Sequence, residues 1–236
     1  MAADFIPEFQ GNLRKHCLRV PECIRRCSGI KIFGKRIKSI VFTTDVSIIR
    51  NVNADAVIAV YPFTPQPIIT QAIMLAADIP VFCGVGGGIT QGKRVVNIAH
   101  HAEHQGAMGV VVNAPTSNET LAAVAEEIDI PVIVTVVSEQ EDIAARLRAG
   151  ASIFNVSASA KTPMLVRRIR EEFPEVAIIA TGGPTDESIL ATIEAGANAI
   201  TWTPPTNGEQ TRIIMNKYRA YWAEHPPVNG PDQVPD

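Results

Sequence analysis

The 236-residue sequence lacks the marks of several protein classes. It has four cysteines and no Cys-x-x-Cys pair, so neither a disulfide framework nor a zinc site built on paired thiols is predicted. No stretch approaches the roughly 18 uninterrupted apolar residues of a membrane span. The N-terminus lacks the apolar core and cleavage site of a signal peptide. We therefore expect a soluble, reduced, cytoplasmic protein.

Charge is also scarce, and the two signs nearly balance. Charged residues make up 19% of the chain, and the formal net charge is −3. This composition provides no excess of basic residues for binding nucleic acid. The expected partner is a small anionic molecule rather than a nucleic acid or a membrane, and a homodimer is compatible with the sequence. Residues 226–236 hold four prolines and almost no apolar side chains, so we expect a disordered tail.

Eight short apolar runs, each followed by a helical stretch, recur along the chain. Their nearly continuous Val- and Ile-rich character is typical of parallel strands that helices cover. An eightfold repeat of this length predicts an α/β fold, the (β/α)8 TIM barrel. We expect a single domain over residues 1–225, with an N-terminal helical cap over 1–36 that plugs the N-terminal mouth of a barrel over 37–225. The predicted strands are Ile37–Thr43, Ala56–Val60, Val81–Val85, Gly109–Val112, Val132–Val137, Ile153–Val156, Val176–Ala180 and Ala199–Trp202.

Polar and small residues mark the predicted helix ends. Ser117 and Thr185 are typical N-caps, and Ser138 with Glu141 matches a capping box. Three helices are expected to end at a glycine in the left-handed conformation: Gly106, Gly150 and Gly196.

Barrels of this kind carry their chemistry at the C-terminal ends of the strands, so the residues that follow each predicted strand are the candidate site. This rim is rich in hydroxyl groups and glycine and poor in ionisable groups, which suits hydrogen bonding to an anionic or polyhydroxy ligand. Thr135 and Thr201 also fall at strand ends. The expected substrate- or phosphate-binding residues are Thr181, Gly182, Gly183, Thr203, Asn113, Ser157, Gly86 and Gly87.

Two glycine-containing segments stand out within this set. In Ala180–Pro184, glycines let the backbone approach an anion, and the amides of the following helix attract it. The loops after the seventh and eighth strands are a frequent phosphate site in barrels; a plain β-to-α turn is the alternative. The segment Gly84–Gly88 is either a ligand cradle or a mobile linker.

Ionisable candidates for catalysis are few. Asp45 directly follows a strand and is a candidate general base. Lys161 is a candidate Schiff-base lysine or a solvated surface residue, and Asn155 is expected to orient the substrate. Cys83 is expected to be an inert core thiol. His100 and His104 share a helix face, but neither an H-E-x-x-H pattern nor a third ligand is evident, so no metal and no cofactor are predicted.

Four segments carry a family resemblance: Ser138–Ala151, Ile153–Ser157, Ala180–Gly183 and Glu194–Ala197. On these segments the chain from about Ile79 to Pro205 resembles the phosphate-binding superfamily of TIM barrels, and its second half resembles the 2-keto-3-deoxy-6-phosphogluconate aldolases. The resemblance implies a small phosphorylated or carboxylated substrate and, for the aldolases, Schiff-base cleavage of a carbon–carbon bond. The aldolases carry their lysine within the sixth strand, where this chain has none.

Together these features predict a lyase or isomerase that acts on a phosphorylated or carboxylated oxo or hydroxy compound at the C-terminal rim. A hydrolase in which Asp45 activates water is one alternative. The other is a non-catalytic barrel that binds a metabolite and has a regulatory role.

Overall fold

The computed structural model describes residues 7, 9, 11 and 17–225. A two-stranded antiparallel hairpin, β1 (Ile30–Ile32) and β2 (Lys35–Ile37), precedes eight further strands. These are β3 (Ser39–Phe42), β4 (Ala56–Ala59), β5 (Val81–Gly86), β6 (Gly109–Val112), β7 (Val132–Val136), β8 (Ile153–Val156), β9 (Ala177–Thr181) and β10 (Ala199–Trp202). They pair in parallel in chain order, and β10 closes the ring on β3. The predicted TIM barrel is confirmed.

A helix follows each barrel strand along the chain. The helices are α1 (Val46–Arg50), α2 (Pro67–Ala76), α3 (Lys93–His104), α4 (Asn118–Glu127), α5 (Ile143–Arg148), α6 (Thr162–Glu172), α7 (Asp186–Glu194) and α8 (Asn207–Glu224). None of the helices within the described residues is both long and apolar enough to span a membrane.

Two layers of apolar side chains account for the continuous apolar strands. One lies between the sheet and the helices and includes Val110, Val134 and Phe154. The other fills the barrel interior and includes Val111 and Ile133. Side chains of successive strand residues point to opposite faces, so a strand buried on both faces has apolar residues at every position.

The segment before the barrel packs against the barrel interior through a β-hairpin, where the sequence predicted a helical cap. Ile32 and Ile37 of the hairpin are 5% and 1% exposed and belong to the same apolar cluster as Ile40 and Phe82 of the barrel interior. A 3-10 helix spans Glu22–Arg26. Of the cap predicted over residues 1–36, most of the part before residue 17 lies outside the described residues, as does the predicted tail at 226–236.

The chain divides into two compact units, one ending at Pro204 and one beginning at Pro205. The second unit contains α8, whose N-cap Thr206 exchanges hydrogen bonds with Glu209 in a capping box. The residues up to Pro204 contain all eight barrel strands and all the candidate site residues.

The predicted helix ends are largely confirmed. Ser117 and Thr185 are N-caps, and the three expected glycines have positive φ: Gly106 at 92°, Gly150 at 98° and Gly196 at 113°.

The predicted capping box at Ser138 is wrong. The N-cap of α5 is Asp142, which accepts a hydrogen bond from the amide of Ala145. Glu141 is instead held by the Arg146 guanidinium, with Nε 2.6 Å from Oε1. Glu141 therefore pairs with Arg146 of α5 instead of making the capping hydrogen bond that the sequence pattern predicts.

Candidate functional site at the barrel mouth

Six uncharged polar side chains line the inner face of the barrel at the C-terminal ends of five consecutive strands. Each follows by two or four residues an apolar residue of the barrel interior, so each points toward the barrel axis. Thr135 pairs with Asn155 across β7 and β8, and Thr181 pairs with Thr201 across β9 and β10. We call this set the polar arc: Asn113, Thr135, Asn155, Ser157, Thr181 and Thr201.

Two members of the polar arc hold polar atoms that lack hydrogen-bond partners among the described residues. Thr201 is 6% exposed and its Oγ1 is unpartnered. The Oδ1 atom of Asn155 is also buried and unpartnered. In contrast, Thr181 Oγ1 donates to Ser157 Oγ at 3.2 Å. Buried polar atoms are nearly always paired, so the two unpartnered oxygens mark the place where a polar ligand would complete the hydrogen bonding.

A cavity of about 150 Å³ lies beside the arc, at the ends of β4, β5 and β6. Asn113 lines this cavity and also begins the polar arc. The other described lining residues form a glycine wall, an aromatic and proline wall and an apolar floor: Gly84, Gly86, Gly88, Ile89, Thr90, Tyr61, Pro62, Phe63, Pro65, Val60 and Val111. The Tyr61 hydroxyl accepts a hydrogen bond from the Gln66 amide at 2.8 Å, which fixes that wall.

The glycine-rich loop after β5 is braced by its surroundings. Gln91 Nε2 donates to the carbonyls of Gly87 and Gly88. Gly87 has φ of 95°, and a Cβ there would overlap Thr116 Oγ1. Of the two glycines predicted to bind the ligand, Gly86 lines the cavity. At position 87 a glycine is required because any side chain would collide with Thr116.

Arg146 holds the loop that follows Asn113. Its side chain is nearly buried and donates to the carbonyl oxygens of Thr116 and Ala114 and to Asn118 Oδ1. Because those groups flank Asn113 and the N-terminus of α4, this guanidinium positions one wall of the site without contacting the cavity.

Asp45 lies at the end of β3, as predicted, and caps α1. Its Oδ1 accepts hydrogen bonds from the Ser47 amide at 2.8 Å, the Ser47 hydroxyl at 2.6 Å and the Ile48 amide at 3.3 Å. The carboxylate is therefore fixed in place at the rim. Its capping role is sufficient to explain an aspartate at this position.

Lys161 does not lie with the polar arc in a shared pocket. Its side chain is 71% exposed, and its Nζ lies 3.0 Å from Glu139 Oε1. A Schiff-base lysine is usually desolvated or placed beside another cation so that its amine is neutral. Lys161 has the opposite environment, because it is exposed and beside a carboxylate.

The predicted anion site after β9 offers few amides. The Gly182 amide donates to the Thr201 carbonyl, Pro184 has no N–H, and the Thr185 amide donates to Ser188 Oγ. Packing accounts for the glycine at 182, because a Cβ there would meet Ile200 at 2.7 Å. Two carboxylates in the first turn of α7 would repel an anion.

Two further residues named from the sequence, Thr203 and Cys83, belong neither to the polar arc nor to the described cavity lining. Thr203 follows β10 and is exposed. Cys83 is 2% exposed, and burial raises the pKa of its thiol to about 12. A thiol with so high a pKa is almost entirely protonated at neutral pH and is a poor nucleophile, which agrees with the prediction of a core residue.

Thr135 and Thr201 are the arc members that the sequence did not single out for binding. Both are strand-end threonines, which are common in buried strands and carry no motif. Only the strand register shows that they belong to the arc, because it places Thr135 beside Asn155 and Thr201 beside Thr181. The alternation of interior and exterior residues is the signal that would have found them.

No protein-family model matches this chain, and the search of curated proteins gives no match. Solved structures share its fold at low sequence identity. A 2,3-dimethylmalate lyase of the PEP mutase/isocitrate lyase superfamily superposes with a TM-score of 0.61, 13% identity and coverage of 85% of this chain and 87% of that one. A phosphonopyruvate hydrolase solved with oxalate and Mg²⁺ has a TM-score of 0.60, 14% identity and coverage of 87% and 89%. Oxaloacetate acetylhydrolase with its product oxalate has a TM-score of 0.60, 9% identity and coverage of 90% and 88%.

These comparisons correct the resemblance inferred from the sequence. The matches described above include a member of the PEP mutase/isocitrate lyase superfamily, and they do not support the likeness to 2-keto-3-deoxy-6-phosphogluconate aldolases. The structure agrees, because β8 holds Asn155 facing inward and Lys161 follows in a separate 3-10 turn at Ser159–Lys161. At this level of identity the matches establish the fold alone.

Proposed function

We propose that the chain is an enzyme that binds a small oxo or hydroxy compound bearing a carboxylate or phosphate at the barrel mouth and acts on it by lyase or isomerase chemistry. The observation that carries the proposal is the unpartnered hydroxyl of Thr201, which is 6% exposed and faces the barrel axis. Together with Asn155 Oδ1 it gives the ligand two anchoring points inside the rim.

The chemistry of the arc supports a small, oxygen-rich ligand. Threonine and serine hydroxyls donate and accept, and asparagine does both through separate atoms. A carboxylate or phosphate accepts from several such donors at once, and a carbonyl or hydroxyl group uses the remaining ones. The similar barrels include a lyase of 2,3-dimethylmalate and two hydrolases, of phosphonopyruvate and of oxaloacetate, all compounds of this class. That agreement favours the same class of substrate here.

Asp45 is our candidate acid–base group. It lies in the rim loop between β3 and α1, and β3 closes the barrel by pairing with β10, the strand that carries Thr201. A carboxylate so placed can take a proton from a hydroxyl or a carbon next to a carbonyl. The same group acting on water would give the hydrolase alternative.

Mg²⁺, present in the phosphonopyruvate hydrolase structure, does not fit this cavity. Mg²⁺ takes carboxylate and water oxygens in an octahedral arrangement. The described lining residues include no carboxylate, and Asp45 Oδ1 is occupied by three hydrogen bonds of the α1 cap. We therefore assign no step to a metal at this site.

A binding and turnover panel tests the proposal. Purified protein is screened with 2-oxo acids, 2- and 3-hydroxy acids and their phosphorylated analogues, with thermal shift reporting binding and proton NMR reporting products. We expect at least one compound to raise the melting temperature and to be converted. Asn155→Leu should lose both effects, whereas Asn97→Leu on the exposed face of α3 should keep them. A shift that survives Asn155→Leu would contradict binding at the arc.

Asp45→Asn separates catalysis from binding. Asparagine caps helices about as well as aspartate, so α1 should remain folded while the base is lost. We expect ligand binding to remain and turnover to fall at least about 100-fold, in the range attributed to general acid–base catalysis.

Binding without turnover in the unmodified protein would instead favour the non-catalytic metabolite-binding barrel, which the uncharged character of the arc also fits.

A further inference from the structure

One group of three potential metal ligands occurs among the described residues, and it lies outside the barrel mouth. A ring nitrogen of His100, a ring nitrogen of His104 and a carboxylate oxygen of Glu103 lie within 4.8 Å of one another. All three belong to the last two turns of α3. Because α3 runs back along the barrel, this group lies at the end opposite the candidate active site.

The neighbouring residues fix this group in place. Glu103 Oε1 accepts hydrogen bonds from the amides of Asp129 at 2.6 Å and Ile130 at 3.1 Å, so its side chain is anchored to the loop after α4. Glu127, the last residue of α4, places Oε1 3.0 Å from His100 Nδ1. The two groups are at ion-pair distance without hydrogen-bond geometry. A metal on the other ring nitrogen would orient the ring so that Nδ1–H donates to this carboxylate, the usual arrangement around a metal-bound histidine.

Charge also favours a divalent cation at this position. Glu103 and Glu127 bring two negative charges, and the two histidines are neutral ligands when a metal is bound. α3 ends at His104 and α4 ends at Glu127, so two helix C-termini with their partial negative charges converge here. A cation of charge +2 would balance the two carboxylates.

The sequence of α3 carries a metal-binding pattern other than H-E-x-x-H. His100-His101-Ala102-Glu103-His104 has the inverse order, H-x-x-E-H, which is a zinc-binding pattern in one class of metalloproteases. The two histidines are four residues apart on one helix face, which is the spacing that lets both bind one ion.

We propose that His100, His104 and Glu103 bind one Zn²⁺ ion, with Glu127 orienting His100 from α4. Imidazole and carboxylate ligands suit zinc, and three protein ligands leave one position for water. The ion joins the end of α3 to the end of α4 and to the loop at Asp129. The site is independent of the proposed enzymatic function, because its residues and those of the polar arc lie at opposite ends of the barrel.

Metal titration of the tag-free, full-length protein tests this site. The protein is stripped with a chelator, then titrated with Zn²⁺ by calorimetry and with Co²⁺ by visible absorption, which distinguishes tetrahedral from octahedral coordination. We expect one equivalent of either metal and an increase in melting temperature with Zn²⁺. His104→Ala and His100→Ala should abolish the stoichiometric binding, and Glu127→Gln should weaken it about 10- to 100-fold.

His101→Ala is the matched control, because His101 lies on the same helix and is outside the group of three. It should bind one equivalent with unchanged affinity, and circular dichroism should show all variants folded. His104 is exposed, so its replacement is not expected to disturb the fold. Equal affinities for His104→Ala and His101→Ala, or no binding by the unmodified protein, would overturn the proposal, the first by identifying the metal as adventitious.

Discussion

Thr201 combines near-complete burial with an unpartnered hydroxyl, and this combination has an energetic cost. A buried polar group without a partner loses its hydration and gains no hydrogen bond in return, at about 1–3 kcal/mol. Such a cost is typical of functional positions, where the ligand supplies the missing bond. The sequence could place Thr201 at a strand end, but the lack of a partner depends on atoms from neighbouring strands and could not be predicted.

Thr201→Val should stabilise the unliganded protein and weaken the liganded one. Valine has nearly the same shape and removes the unpaired hydroxyl, so we expect the free energy of unfolding to rise by about 1 kcal/mol and the melting temperature by about 2–4 °C. The stabilisation by any ligand found in the compound panel should decrease. Both are measured by thermal unfolding with and without that ligand.

Thr192→Val is the control for this effect. Thr192 is also buried, at 1% exposed, but its hydroxyl donates to the Ser188 carbonyl at 2.9 Å. Its replacement should lower the free energy of unfolding by about 1 kcal/mol and leave ligand binding unchanged. If both variants were destabilised equally, the Thr201 hydroxyl would have a partner in the free protein.

At the scale of elements, local sequence patterns predict most helix ends and fail at the start of α5. Ser117 and Thr185 cap their helices from within their own segments, so the sequence predicts them. Ser138 with Glu141 fits the same pattern, but Glu141 bonds to Arg146, which also reaches the carbonyls of the loop after Asn113. Glu141 bonds to Arg146 within its own β-to-α unit, and Arg146 is held in turn by the preceding unit, a contact that no local pattern encodes.

Arg146→Met should destabilise the protein by about 3–5 kcal/mol, because it leaves Glu141 as a nearly buried charge without its partner and leaves loop carbonyls unpaired. Denaturant unfolding measures the effect. Arg148→Met, on the same helix and exposed, should change the free energy of unfolding by less than about 0.5 kcal/mol. A similar small effect for both would show that the Arg146 contacts contribute little to stability.

At the scale of the whole molecule, the barrel was predictable because burial on both faces makes most strand residues apolar. The eight predicted strands match the observed ones closely; the seventh, for example, was expected at Val176–Ala180 and lies at Ala177–Thr181. The zinc group was not predicted, although all of its α3 ligands lie within five residues, because its supporting carboxylate, Glu127, comes from the next helix. Closure of the ring also places Cys83 at the centre of the packed layer between sheet and helices.

Burial of Cys83 should make the barrel sensitive to alkaline pH. Its folded-state pKa is raised by burial from 9.0 to about 12, so the thiol is protonated in both states below pH 9 and contributes no pH dependence there. Above pH 9 the unfolded chain loses this proton while the folded chain keeps it, so this thiol should lower the free energy of unfolding by up to about 1.4 kcal/mol per pH unit. Cys27, whose pKa burial raises to about 11, adds a similar slope up to that pH. The free energy of unfolding, measured by urea titration from pH 8 to 11, reports this slope.

Cys83→Ala should reduce that slope by up to about 1.4 kcal/mol per pH unit and leave the contribution of Cys27, apart from a constant loss of stability from the smaller side chain. The half-buried Cys17 provides the matched control: Cys17→Ala should keep the slope of the unmodified protein. Identical slopes in all three proteins would mean that the Cys83 thiol is accessible to ionisation in the folded state.

The size of the cavity at the barrel mouth limits how tightly this protein can hold a very small ligand. A volume of about 150 Å³ is that of an engineered cavity that accepts benzene, a molecule of about six non-hydrogen atoms. The best tiny ligands gain at most about 1.5 kcal/mol per non-hydrogen atom, which gives a limit of about −9 kcal/mol. That corresponds to a dissociation constant of about 0.3 μM, so a compound confined to the cavity will saturate the protein only where its own concentration is micromolar or higher.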